Sequence, residues 1–227
     1  MSEESQNLHL EFVDEGLRLV SEAEKRGIQL RILGSIAYRI QCPKNLHLFD
    51  DMARVLTDVD FAGLKSQNQE IREFLIGEGY VPDEGVYVAS EGTRHIYLHP
   101  ESNLNVDVFA DELYFCHRIP FEGRLDIDMP TISTTDLLLE KMQIVEINLK
   151  DFKDTLVLML EHPLGSPADG NKHIDVRYIC DMMSHDWGFY HTFTTNLKRV
   201  PEHIQEFPAI SEDEGNVIRT HIQDLLD

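Results

Sequence analysis

Apolar residues recur with two different periods along this chain, and the change of period marks its elements. Leu10, Val13, Leu17 and Val20 stand at helical spacing, so residues 8–26 read as an amphipathic helix, with Gly27 as its stop. Ile28 to Leu33 alternates in character and predicts a strand, and Gly34-Ser35 follows at once. Ile36 to Ile40 opens a helix that Pro43 limits, and residues 46–56 read as helical. Leu56 to Phe61 predicts a second strand. Ser66 is a candidate cap for a helix running to Gly77, with Ile71, Phe74 and Leu75 on its buried stripe.

Between residues 80 and 130 short β-like runs dominate. Val86-Tyr87-Val88, Thr93 to Leu98 and Leu104 to Phe109 predict strands, with Glu91-Gly92 and Pro100 to Asn103 as turns. Leu125 to Met129 reads as another strand. Two helices follow: one after Thr134 with Leu137, Leu138, Met142 and Val145, the other over 151–161 with Phe152, Leu156, Met159 and Leu160. Pro163 to Gly170 is a turn-rich linker, and the last 57 residues read as helical with breaks near Gly188, Pro201 and Pro208. The pattern predicts an α+β fold: a small mixed sheet with helices packed on one face over residues 1–162, then a helical region over 163–227. Trp187, Phe189, Tyr190 and Phe193 fall together on a predicted helix and are expected to pack that region on the α/β part, with base stacking as the other reading.

Composition narrows the class. Hydrophobic residues make up 42% of the chain, enough for a full core. Forty-one acidic residues against 20 basic ones give a net charge of −21, which disfavours an extended nucleic-acid footprint. A small anionic substrate needs a metal or a local basic group to offset that field. Cys42, Cys116 and Cys180 have neither disulfide-framework nor zinc spacing. The start Met1-Ser2-Glu3-Glu4 is acidic where a signal peptide is basic, and no apolar run has the length to span a bilayer, so the expectation is a cytoplasmic protein with no membrane partner.

The candidate chemistry lies in Thr57-Asp58-Val59-Asp60. Strand side chains alternate, so Asp58 and Asp60 share a face while Val59 and Phe61 point into the core. Two such carboxylates repel one another unless a cation lies between them, and hard oxygen donors suit Mg2+ or Mn2+. Asp107, between Val106 and Val108, is the candidate third ligand if its strand lies beside the 56–61 strand. Gly34 permits close backbone approach, and Ser35 falls at a helix start, where free N–H groups favour phosphate. Asp126-Ile127-Asp128 is a rival pair, read as a solvated edge strand. Asp111 and Glu112 are expected to solvate a turn. The eleven histidines lack metal-site spacing and read as scattered on the surface.

Taken in order, Leu33-Gly34-Ser35, Asp58-Val59-Asp60-Phe61 and Val106-Asp107-Val108 resemble the nucleotidyltransferase superfamily, which includes polymerase-beta-like enzymes. The stretch Arg54 to Phe61 is most similar to bacterial abortive-infection-toxin-like members. The resemblance covers about residues 28–162. It implies that Asp58, Asp60 and Asp107 bind the metal and that Gly34 and Ser35 contact the nucleotide's phosphates. Lys141, in Leu139-Glu140-Lys141-Met142-Gln143, resembles the family's helical lysine, for which exposure and phosphate binding are both open. Lys150-Asp151-Phe152-Lys153-Asp154 resembles a recurrent acidic helix start, though first-turn acids also suit a helix dipole. Arg54 is open between positioning the Asp strand, holding a phosphate and a surface ion pair. One departure is the 22 residues between Ser35 and Asp58, which an inserted helix can absorb. The expected function is transfer of a nucleoside monophosphate from an NTP to a small molecule, a protein or an RNA end, with a protein partner of antitoxin type possible. The alternative is a catalytically silent nucleotide-binding or interaction module that keeps the fold.

Overall fold

A computed structural model describes residues 3–170 and 172–227. In chain order its elements are α1 (Glu3–Lys25), β1 (Arg31–Leu33), α2 (Gly34–Gln41), α3 (Leu46–Asp51), β2 (Val59–Gly63), α4 (Asn68–Gly77), β3 (Val81–Pro82), α5 (Glu84–Ala89), β4 (Arg94–Leu98), β5 (Asn105–Ala110), β6 (Glu112–Tyr114), β7 (Arg118–Pro120), α6 (Thr134–Met142), α7 (Leu149–Glu161), β8 (Leu164–Gly165), β9 (Ile174–Asp175), α8 (Val176–His185), α9 (Trp187–Arg199) and α10 (Glu212–Leu226). Short 3-10 turns at 43–45, 65–67, 167–169 and 200–206 link them. The protein is thus mixed α/β, with a small mixed sheet and many helices.

The chain forms two compact units. The first comprises residues 1–37, 55–113 and 118–132; the second comprises 38–54, 114–117 and 133–227. The turn-rich stretch 163–170 lies inside the second.

The first unit holds the five-stranded sheet, in the order β1-β2-β5-β4-β3. Only β2 and β5 run parallel; the other neighbours are antiparallel. Ile32, Val59, Phe61, Val106 and Val108 are fully enclosed and form the core with Ile71, Phe74 and Leu75 of α4, the stripe expected from the sequence. Helix α1 packs closely on this sheet: a Cβ at Gly16 would stand 3.3 Å from Ile32 and 3.4 Å from Val59. Its buried line runs through Phe12, Gly16, Leu19, Val20 and Ala23, whereas Val13 and Leu17 are half-buried, so the apolar face is rotated from the expected one. The side chain of Leu10 lies outside the described residues. At the β1 edge, Ile32 donates to Pro130 O and accepts from Ile132 N, which leaves little of that edge open. Pro82 sits on the opposite edge strand, where a missing N–H does no harm.

Several expectations need correction. Val86-Tyr87-Val88 lies in α5 and not in a strand, because Asp83 caps that turn by accepting from Val86 N at 3.1 Å. Residues 125–129 form turns and not a strand; Asp128 accepts from Met129 N, and of this stretch and its successor only Thr131 bridges to Ile32. Asp128 is therefore buried and not a solvated edge residue. Ser66 lies in the 3-10 turn before α4, whose first helical residue is Asn68. The break expected near Gly188 is present, at Asp186, which caps α9. Asp111 is exposed in the turn after β5, as expected, and accepts from Lys65 N, whereas Glu112 begins the β6–β7 hairpin, which the sequence pattern did not reveal.

The second unit is mainly helical. Its core includes Leu137, Leu138, Leu139, Met142, Leu156, Leu158, Phe189, Phe193 and Ile218. Phe189 and Phe193 are buried there, but Trp187 and Tyr190 are exposed, so only half of that aromatic group packs.

Candidate functional site

The geometry of the first unit brings three of its sequence signals to neighbouring strand ends. Leu33, the last residue of β1, pairs with Asp60 of β2, and Asp60 pairs in register with Asp107 of β5. Neighbouring strands stand about 4.8 Å apart, and residues abreast of each other share a face. Asp60 and Asp107 are therefore side by side. Asp58 precedes β2 by one residue and not within it as expected; it accepts from Thr57 Oγ1 at 2.9 Å. All three acids are half-buried, while Val59 and Phe61 between and beyond them are fully enclosed.

Gly34 closes the site on the β1 side. Its φ of +68° is the left-handed conformation that glycine adopts without strain. An added Cβ would collide with Asp60 Oδ2 and stand 3.1 Å from its Cγ. Ser35 is buried in the first turn of α2.

Arg94, on β4, was not singled out in the sequence. Its Nε stands 3.0 Å from both oxygens of Asp107 and one terminal nitrogen lies 2.5 Å from Oδ2. Its guanidinium carbon lies 5.2 Å from the Phe109 ring centroid. Arg94 pairs with Phe109 across the β4–β5 ladder, so its side chain reaches diagonally to Asp107, two residues away. No single-sequence pattern reveals a diagonal contact of this kind, because it depends on the register between two strands. Burial raises the Asp107 carboxyl above its ordinary value; Arg94 opposes this and the charge of Asp58 adds to it. Its pairing with Asp107 holds the Arg94 guanidinium firmly protonated against the opposing effect of burial.

Lys141 lies in the second unit. It is buried, with its ammonium 2.8 Å from Glu140, 3.6 Å from Asp151 and 3.5 Å from Asp154. Burial disfavours its charge, but these acids overcome that and keep it protonated well beyond the usual range. Arg54 shares the cluster: its Nε and one terminal nitrogen each lie 2.9 Å from Asp154, which is fully buried. Asp151 also completes the capping box of α7 with Asn148. Thus Arg54 makes a buried ion pair and not a surface one. The expectation of surface histidines fails at two positions, His95 and His162, which are 2% and 4% exposed.

Comparison with protein-family models, curated proteins and solved structures finds no match. Among the described residues no group of three or more His, Cys, Asp or Glu side chains is spaced to hold a metal ion, and no helix is long and apolar enough to cross a membrane.

Proposed function

We propose that this protein is a metal-dependent nucleotidyltransferase of the polymerase-beta-like kind, acting through Asp58, Asp60 and Asp107. The observation that carries this reading is the Gly34 turn pressed against Asp60 while Asp60 stands abreast of Asp107. A turn that admits only glycine brings the backbone against paired carboxylates on adjacent strands, which gathers hard oxygen donors at one place. Asp58, Asp60 and Asp107 supply the hard oxygen donors that Mg2+ or Mn2+ takes, and their crowding of negative charge calls for a cation; because no three acids among the described residues are spaced to hold an ion, they would have to draw together around it.

Such an ion would supply charge neutralisation and orientation for a triphosphate. Asp58, Asp60 and Asp107 would hold it, and Gly34 and Ser35 would cradle phosphate oxygens. The acceptor's hydroxyl oxygen would bond to the α-phosphorus as the bond to pyrophosphate breaks, with Asp107 taking the hydroxyl proton. Catalysis of this type rests on positioning and charge stabilisation. Lys141 has three acidic neighbours to neutralise within its own unit, which favours a structural role over phosphate binding. The acceptor class that suits a net charge of −21 is a small molecule, a protein or an RNA end rather than a long nucleic acid. A cytoplasmic setting and an antitoxin-like protein partner belong to the same reading.

One observation favours the alternative of a silent module with the same fold. Arg94 occupies both oxygens of Asp107, a cation already where a metal would go. Thermal melting with ATP, CTP, GTP or UTP plus Mg2+ separates these readings from a protein with no nucleotide site. A ligand at a hundredfold its Kd adds about 2.7 kcal/mol to the native state and raises the midpoint. A shift that Asp58→Asn/Asp60→Asn abolishes, with label transfer from a radioactive NTP to a component of cell extract, supports the enzyme. A shift without transfer supports the silent module. No shift with any NTP refutes both.

A further inference from the structure

We propose that Arg94 is a built-in counter-cation: it occupies the divalent ion's place on Asp107 and passes to the nucleotide's phosphates when the ion binds. This rests on the function proposed above and adds the residue that recognises the anionic substrate.

The three acids of the site stand close together on a chain that is already strongly acidic. Burying such charges without a counter-charge is costly. Arg94 meets that need: it grips Asp107 through three close N···O contacts. Asp60 also adds to the charge that stabilises its guanidinium. Yet Arg94 is not locked in the core. Its side chain is 43% exposed while that of Asp107 is 14% exposed, so the arginine lies on the solvent side of the pair. Its guanidinium carbon stays within 5.2 Å of the Phe109 ring centroid, which offers it a second resting surface when it leaves the carboxylate.

A divalent ion and a guanidinium compete for the same oxygens. An ion arriving with a triphosphate displaces the arginine and at the same time brings the anion that a forked guanidinium binds best. A purely structural strap between β4 and β5 makes the opposite prediction: it has no reason to weaken metal binding or to strengthen nucleotide binding.

The test measures Mn2+ binding to the full chain, from the electron paramagnetic resonance signal of the free ion, without nucleotide and then with ATP. Arg94→Gln is expected to bind Mn2+ alone about fivefold more tightly than the wild type, the order of one displaced ion pair. With Mn2+ saturating, its ATP affinity is expected to fall by a similar factor. Arg94→Lys keeps the charge without the fork and is expected to fall between the two. It also carries the test if Arg94→Gln fails to fold. Unchanged or weaker Mn2+ binding by the folded variant, or undiminished ATP affinity, overturns the counter-cation role. If the wild type binds Mn2+ and Asp60→Asn does not, the metal site stands whatever the arginine does. If neither the wild type nor the Arg94 variants bind Mn2+, the function proposed above fails and this inference with it.

Discussion

Gly34 and Asp60 occupy each other's space: a single added carbon at Gly34 would overlap the Asp60 carboxylate. The two residues are 26 positions apart, yet β1 pairs with β2 so that Leu33 faces Asp60 and delivers the glycine turn to the acid.

Gly34→Ala is therefore expected to act twice. A φ of +68° costs a non-glycine residue about 1–2 kcal/mol, and the collision must also push Asp60 aside. Urea unfolding should show a loss of about 2 kcal/mol or more. Any Mg2+-dependent nucleotide shift should vanish at temperatures where the variant is still folded. A variant as stable as the wild type would contradict the described turn.

Arg54→Ala should be among the most damaging single changes in the second unit. Asp154 is fully enclosed, and removing its bidentate partner leaves the carboxylate to the more distant Lys141, at 3.5 Å, and the field of Arg39. Breaking a buried ion pair in this way costs about 3–5 kcal/mol. Arg54→Ala/Asp154→Ala should recover part of that loss, because no unpaired charge remains. Chemical denaturation of the two single variants and the double variant yields the coupling; additive losses would mean that the pair contributes nothing as a pair.

Stability should fall as the pH drops below 6.5. Burial depresses His95 and His162 below the ordinary histidine value of 6.5, against the hydrogen bonds that favour their charged forms. Above pH 6.5 both are neutral in folded and unfolded chains alike, and their contribution is fully present. Below it the unfolded chain takes up protons that the folded chain refuses, until the folded histidines titrate in turn. Each can contribute up to about 1.4 kcal/mol per pH unit in that window. Denaturant midpoints between pH 7.5 and 5 should decline, and His162→Asn should make the decline shallower. An unchanged slope would show that His162 is as easily protonated in the native state as in the unfolded one.

Ser211→Ala should loosen the last helix. The Ser211 hydroxyl accepts from Glu214 N at 3.3 Å, and the Glu214 carboxylate accepts from Ser211 N at 2.8 Å, which completes a capping box for α10. Losing an N-cap of this kind costs about 1 kcal/mol. Hydrogen exchange should quicken first at residues 212–216; equal protection in both proteins would show that the cap is dispensable.

Local rules decided a good part of this protein. Helical spacing located α4 and α7, whose buried faces follow from Ile71, Phe74 and Leu75 and from Phe152, Leu156 and Met159. Alternation located β4 and β5, and it put Val59 and Phe61 inside with Asp60 facing the other way. The break at Gly34 was legible because the alternating run ends there and a glycine permits close backbone approach; its left-handed φ was not. Val86 to Val88 misled because β-branched residues suit a strand in isolation, while a single cap from Asp83 turns the same residues into a helix. Strand order and register were beyond local rules. That Asp60 stands abreast of Asp107, that Arg94 reaches diagonally to it, and that Arg54 finds Asp154 a hundred residues away all depend on which segments meet. The sequence could name the acids of both clusters together with Arg54 and Lys141, but it passed over Arg94, and the partners are chosen by packing, because a buried charge takes whatever counter-charge the fold brings within reach.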